Sequence, residues 1–280
     1  MLPQSKQQNA SMVISSCDAY ADLWPLFFHF FFKHWKSPSM PVYLISNHRK
    51  FKDPRVISVC VGEDKSWSDN FIRALEFIPE ENLFVWLDDF FVDRDFQSLE
   101  LSECIKQLDH AGGKYLGVDQ YGDEGEAVEN GWFRKIEGGN LRAGLNLSLW
   151  KRSFLRQILV PGCSIWAAES RLRKLNREGE AGLYYMKKES PLIISYVEGV
   201  KGQFWKVPAV DFMRKQGMQL NLKRRPFPPQ GNHFISKFIR SCFKRRMRAK
   251  SAKEAREALN GKGLEVLPLE SAAAGVCLKS

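Results

Sequence analysis

A regular alternation in the first 120 residues sets the tightest limit on the architecture: short apolar runs separated by helical patterns. The runs are 12–18 (MVISSCD), 41–47 (PVYLISN), 56–62 (VISVCVG), 82–90 (NLFVWLDDF) and 114–120 (KYLGVDQ). They are rich in Val, Ile, Leu and aromatic residues and mostly apolar on both faces, as strands are when helices cover both sides of a sheet. Between them, 21–35, 68–78 and 97–110 carry helical spacing. This order predicts an α/β fold with a mostly parallel, doubly wound sheet and helices on both faces.

The second half is less regular. Segments 129–136, 141–150 and 191–200 read as strands, and 151–159, 164–179 and 207–217 as helices, the last closed by Gly217. A single domain is expected over 1–222, followed by a tail over 223–280. With 44% hydrophobic residues the chain can bury a substantial core. Its six cysteines are scattered without a CxxC pair, which points to reduced thiols in a cytoplasmic setting rather than a zinc module or a disulfide framework. The opening MLPQSKQQNASMVISS lacks a charged segment followed by a long apolar one, so no signal peptide is expected. The greasiest stretch, LWPLFFHFFF, falls short of the about 20 apolar residues a bilayer span needs. An aromatic helix buried against the sheet is expected there.

In a doubly wound sheet, ligands bind beyond the carboxyl ends of the strands. Three of the predicted strands end in polar groups suited to that edge: Ser16-Cys17-Asp18, Asp88-Asp89 and Asp119. Asp is also an ordinary turn former and helix cap, which competes for Asp18 and Asp119 singly. The double aspartate is harder to explain that way, because it abruptly ends an almost wholly apolar run and buried charge is costly unless paired or bound. Carboxylates there suit a divalent cation, Mg²⁺ or Mn²⁺, bridging two phosphates. On an extended strand Asp88 and Asp89 would face opposite ways, so both could serve one ion only if the chain turns. Asp93-Arg94-Asp95 is a literal DxD, but it precedes the 97–110 helix and Asp95 reads as its cap. No GxGxxG follows the first strand, and no GxxxxGK[ST], GxSxG or HExxH occurs.

The segments ISSCDAYADLWPLFFHFFFKHW…PVYLISN, SWSDNFIRALEFIPEENLFVWLDDFFV and LNLSLWKRSFL…SIWAAE, in that order, resemble bacterial GT-A-type glycosyltransferases of capsule and O-antigen synthesis. The resemblance spans roughly residues 12 to 215. It implies a GT-A-like, Rossmann-like sheet and an enzyme moving sugar from a nucleotide-sugar donor to a polyprenyl-linked glycan acceptor. By the same resemblance Ser16, Cys17 and Asp18 match the region cradling base and ribose. Trp67, Ser68 and Arg73 match the approach to a nucleotide-side helix, Asp88 and Asp89 the metal and diphosphate position, and Glu169 the catalytic base of an inverting transfer. The adjacent pair departs from the family's commoner spaced DxD. Competing readings are a solvated Glu169 paired with Arg173, core packing for Trp150 and Trp166, which could otherwise line an acceptor cleft by stacking on sugars, structural roles for His29 and His34, and solvent exposure for Lys201 and Lys206, which could otherwise approach the diphosphate.

The net charge of +10 is concentrated: residues 221–260 hold 12 Lys/Arg and two Glu, leaving the remainder neutral. Within 232–250, apolar residues at helical spacing form one stripe opposite Lys237, Arg240, Lys244, Arg245 and Arg248. Such a helix suits an anionic membrane surface, each basic residue contributing about 1 kcal/mol. A cytoplasmic enzyme held peripherally on the inner leaflet is therefore expected. Packing of the stripe on the domain is the alternative, and the final stretch ESAAAGVCLKS is expected to be disordered. A nucleic-acid-binding protein could use the same basic segment, but no RRM, KH or zinc-finger pattern accompanies it. A metal-dependent phosphohydrolase using Asp88 and Asp89 would need further His or Asp ligands at other strand ends.

Overall fold

The computed structural model describes residues 9–122, 125–128, 131–136, 144–192, 194–220 and 222–227, with the backbone of two short strands, Val266–Pro268 and Val276–Leu278. The first half contains β1 (Ala10–Ser15), α1 (Trp24–His34), β2 (Val42–Ser46), β3 (Lys50–Lys52), β4 (Val56–Cys60), α2 (Trp67–Ala74), β5 (Asn82–Leu87), β6 (Phe90–Val92) and α3 (Ser98–His110). Then come β7 (Tyr115–Gly122), β8 (Phe133–Lys135), β9 (Ser148–Lys151), α4 (Arg152–Ile158), α5 (Ile165–Arg177), β10 (Leu183–Lys187), β11 (Tyr196–Glu198), β12 (Val200–Lys201), β13 (Phe204–Trp205), α6 (Val207–Lys215) and β14 (Met218–Leu220).

Eight strands form one sheet in the order β4-β2-β1-β5-β9-β7-β10-β8. The pairs β2/β4, β1/β2, β1/β5 and β7/β10 are parallel, while β9 runs antiparallel to both its neighbours and β8 antiparallel to β10. The chain leaves β1 toward β2 and β4, then returns on the other side as β5. A crevice therefore opens between the carboxyl ends of β1 and β5. Ser15 stands opposite Leu87 in that register, which sets Ser16 facing Asp88.

Alternation along the strands feeds two cores. Met12 and Ile14 of β1 with Phe84 and Trp86 of β5 pack under α1, α3 and α6. Val13, Leu83 and Val85 face the other way, under α2, α4 and α5. The fold is thus the expected α/β arrangement, a mostly parallel sheet between two helical layers. Helix α1 buries Phe27, Phe28, Phe30 and Phe31 together, so it is apolar nearly all round. Phe31 meets Trp86 edge-on at 5.7 Å and Trp35 at 5.4 Å, contacts worth about 0.5–1.5 kcal/mol each beyond area burial.

Some expectations shift. Helix α3 is capped by Gln97 in a capping box with Glu100, not by Asp95. Asp95 instead pairs with His34 at 2.7 Å and Lys36 at 3.5 Å on the surface. The run read as 82–90 breaks after Leu87, and Phe90–Val92 pairs with Tyr196–Glu198 away from the main sheet. Packing continues past residue 222, since Arg225 is only 2% exposed. Val266–Pro268 pairs with β3, and Val276–Leu278, within the stretch expected to be disordered, pairs with β14. The basic helix proposed for 232–250, with Lys237, Arg240, Lys244, Arg245 and Arg248, lies outside the described residues. No helix of the described residues is long and apolar enough to cross a membrane.

Candidate active site

At the crevice the chain does turn between the two acids: Asp88 and Asp89 are the two residues linking β5 to β6. The Trp86 indole braces this turn by donating to the Phe90 carbonyl at 3.0 Å. Gly199 N–H donates to the Asp89 carbonyl at 2.6 Å. A side chain on Gly199 would collide with that carbonyl and with the Phe91 ring, at 3.0 and 2.4 Å, so only glycine permits this approach. From the β1 side, the Ser16 hydroxyl donates to the Asp88 carboxylate while accepting the Trp24 indole N–H at 2.7 Å.

The electrostatics fit a site short of positive charge. Burial and the neighbouring Asp89 drive the Asp88 carboxyl well above the ordinary range, against the pull of Ser16. Burial, then Glu198, pushes Asp89 up to about 7. Burial, with Asp64 and Asp88 nearby, also raises the Cys17 thiol. Among the described residues no group of three or more His, Cys, Asp or Glu could hold a metal unaided. Two adjacent carboxylates on one turn, Asp88 buried and Asp89 half-buried, nonetheless fit a divalent cation that takes its other ligands from a phosphate-bearing substrate.

A second group lies at the same edge. Asp119 on β7 accepts the Tyr196 hydroxyl at 2.7 Å, and burial raises its carboxyl to about 6. Asn146, just before β9, accepts the Leu87 N–H at 3.2 Å and adjoins Asp119. Because β9 is antiparallel, its start lies at the edge where its neighbours end. The next residue, Leu147, has φ +43 despite its side chain, a costly backbone of the kind that gathers at functional sites. Glu169 on α5 is half-buried, accepts the Leu145 N–H at 3.3 Å and adds its charge to that felt by Asp119. Burial raises the Glu169 carboxyl against that hydrogen bond and the Arg173 charge.

Ser16, Cys17, Asp88 and Asp89 thus come together, with Glu169 near Asp119. The other sequence candidates have structural engagements. Asp18 accepts the backbone N–H groups of Asn47, His48 and Arg49 at 2.9, 3.0 and 3.3 Å, clamping the turn after β2. Arg73 donates to the carbonyls of Val61, Glu63 (2.6 Å) and Asp69 (3.3 Å), tying down the loop after β4. Ser68 is fully buried, its N–H bonded to the Cys163 carbonyl at 3.1 Å. The Trp67 indole donates to Ser15 at 2.9 Å. Trp150 is core, whereas Trp166 is 67% exposed on α5. Lys206 pairs with Glu198 and its charge reaches Asp89.

Sequence reasoning missed Tyr20, Asp22, Asn146, Tyr196, Glu198 and Arg225. Arg225 grips Asp22 through two hydrogen bonds of 2.6 and 2.7 Å, and its guanidinium lies 4.7 Å from the Tyr20 ring centroid. Burial would raise Asp22, but Arg225 and then Arg224 hold it below the ordinary carboxylate range.

No family profile matches the chain, and no curated protein does. Among solved structures, S. aureus TarS residues 1–349 in complex with UDP is similar at TM-score 0.46 and 10% identity, over 69% of this chain and 61% of that one. The match thus spans under two thirds of TarS 1–349. The UTP-bound UGPase from Acinetobacter baumannii is similar at TM-score 0.45 and 12% identity, over 82% and 97% of the two chains. The 4-diphosphocytidyl-2C-methyl-D-erythritol synthase from Anaerococcus prevotii is similar at TM-score 0.36 and 9% identity, over 67% and 91%.

Proposed function

We propose that this chain is a GT-A-type glycosyltransferase that moves a sugar from a nucleotide-sugar donor to a glycan acceptor. One observation carries the reading: a turn of two carboxylates, Asp88 buried and Asp89 half-buried, both shifted upward, at the crevice where the sheet reverses its winding. Such a turn is costly unless positive charge joins it, and a diphosphate with its cation brings that charge. Asp88 and Asp89 would hold Mg²⁺ or Mn²⁺, which when bound supplies positive charge to the departing diphosphate. Ser16 fixes Asp88, and Lys206 lends charge beside Asp89.

In the proposed transfer an acceptor hydroxyl attacks the anomeric carbon. The glycosidic bond to the donor phosphate breaks, its electron pair leaves with the nucleoside diphosphate, and the hydroxyl proton passes to Glu169. An inverting reaction needs one such base. Raised carboxyl basicity suits Glu169 to the task, and its hydrogen bond to Leu145 engages only Oε1. The acceptor we propose is a polyprenyl-linked glycan of surface polysaccharide synthesis, with the basic 223–256 segment holding the enzyme on the cytoplasmic leaflet.

A thermal-shift screen of UDP-, GDP-, dTDP- and CMP-sugars with and without Mn²⁺ tests this. Selective stabilisation by one nucleotide is expected, weakened in Asp88→Ala and Asp89→Ala. Glu169→Gln should keep that binding and lose transfer; normal turnover by the Gln variant would remove Glu169 from the mechanism.

A further inference from the structure

The segment after β14 joins the crevice from two sides. Arg225 donates from Nε and Nη2 to Asp22 and from Nη2 to the Ala19 carbonyl at 3.1 Å, so it grips the loop that follows Ser16 and Cys17. The next residue, Pro226, accepts the Trp205 N–H at 3.2 Å, and Lys206 N–H bonds the Gly199 carbonyl at 2.9 Å. Gly199 in turn holds the Asp89 carbonyl. Tyr20, under the guanidinium, donates to the Gly202 carbonyl at 3.0 Å. The strap therefore ties the β1 side of the crevice to the acid turn on the β5 side.

This arginine is not used up by its partners. Nε and Nη2 make all the hydrogen bonds just described, while Nη1 bonds no described residue and is not among the sealed, unpartnered polar atoms. Asp22 is shared with Arg224 at 3.2 Å, so one carboxylate faces two guanidinium groups and leaves positive charge in surplus. The Arg225 charge is felt at both Asp88 and Asp89. A planar guanidinium fixed in orientation by Asp22 and an aromatic face, with one N–H edge unspent, suits a phosphate oxygen.

We propose that Arg225 is a diphosphate-binding residue of the donor site, presenting Nη1 to a phosphate oxygen while Asp22 and Tyr20 hold the guanidinium in place. This rests on the nucleotide-sugar reading for its ligand, and it assigns the C-terminal strap a direct part in binding. It also predicts phosphate affinity that survives removal of divalent cations, since the arginine is covalently part of the chain.

The test is calorimetric titration of the full chain with inorganic pyrophosphate, UDP, GDP, dTDP and uridine, with Mg²⁺ or with EDTA. Arg225→Lys keeps a cation for the ion pair with Asp22 but removes the Nη1 edge, so a purely structural role leaves it binding like the wild type. We expect Arg225→Met and Arg225→Lys both to weaken pyrophosphate and the bound nucleoside diphosphate at least tenfold, most plainly in EDTA. If Arg225→Met fails to fold, Arg225→Lys alone decides: unchanged pyrophosphate affinity overturns the proposal. So does equal binding by wild type and Arg225→Met, which leaves the transferase reading intact. Pyrophosphate binding that depends on Arg225 with no nucleotide bound would sink the transferase reading and keep the anion site. No binding of pyrophosphate or any nucleoside diphosphate to the wild type overturns the inference.

Discussion

Replacing Asp89 with Asn should stabilise the ligand-free protein at neutral and alkaline pH while impairing the crevice. Asp89 is raised from 3.8 to about 7, chiefly by burial. The unfolded chain releases this proton near pH 4 and the folded chain near pH 7. Between those values the folded state holds more protons, so stability falls as pH rises through that window. At 1.36 kcal/mol per unit the full shift amounts to roughly 4 kcal/mol, and relaxation with water entry reduces it to about 2 kcal/mol. For a domain of this size that is about 4–8 °C in Tm at pH 8. Asn keeps the turn but removes the charge. Circular-dichroism melts of both proteins from pH 5 to 8, without divalent cations or nucleotide, should diverge, the variant gaining as pH rises. Asp119 titrates in both and cancels in the difference, whereas Asp88, which the Asp89 charge helps to raise, is relieved in the variant and adds to its gain. Melting curves that stay parallel over this range, or a variant less stable at pH 8, would refute the argument.

Other substitutions separate structural from ligand-facing acids. Asp18→Ala strands three backbone donors and should cost roughly 2–4 kcal/mol in urea unfolding, with nucleotide affinity retained by the folded fraction. Gly199→Ala forces a Cβ against Phe91 and the Asp89 carbonyl, a cost of about 1–3 kcal/mol, and should weaken nucleotide binding with it because the acid turn must shift. Truncation after residue 227 should abolish co-sedimentation with vesicles containing phosphatidylglycerol but not with neutral ones, while donor binding persists. Equal vesicle binding by the truncated chain would place the membrane contact elsewhere.

The first half of the fold was legible because β1, β2 and β5 are apolar on both faces and helices link β1 to β2 and β4 to β5, so local pattern and tertiary burial agree. Strand β9 is different: nothing in SLWK distinguishes an antiparallel insertion from another parallel strand, since direction is set by neighbours rather than by side chains. Strand β10, LYYMK, went unread because it is short and follows Gly-Glu-Ala-Gly. The acid pair was legible as a break in an apolar run, and the turn it required is present. Asp18 was ambiguous because strand-end position alone cannot tell a ligand group from a clamp; the turn at 47–49 decides it. Arg225 was hidden twice, by a basic run that suggests solvation and by a partner 203 residues away in sequence.

The indoles under the crevice give the protein an optical gauge of its own. Trp24 hydrogen-bonds the serine that holds Asp88, Trp86 hydrogen-bonds the far side of the acid turn, and Trp67 touches the last residue of β1. Fluorescence from these side chains depends on whether each N–H is engaged, so a charged guest that shifts either strand end should change emission colour or yield without an attached dye.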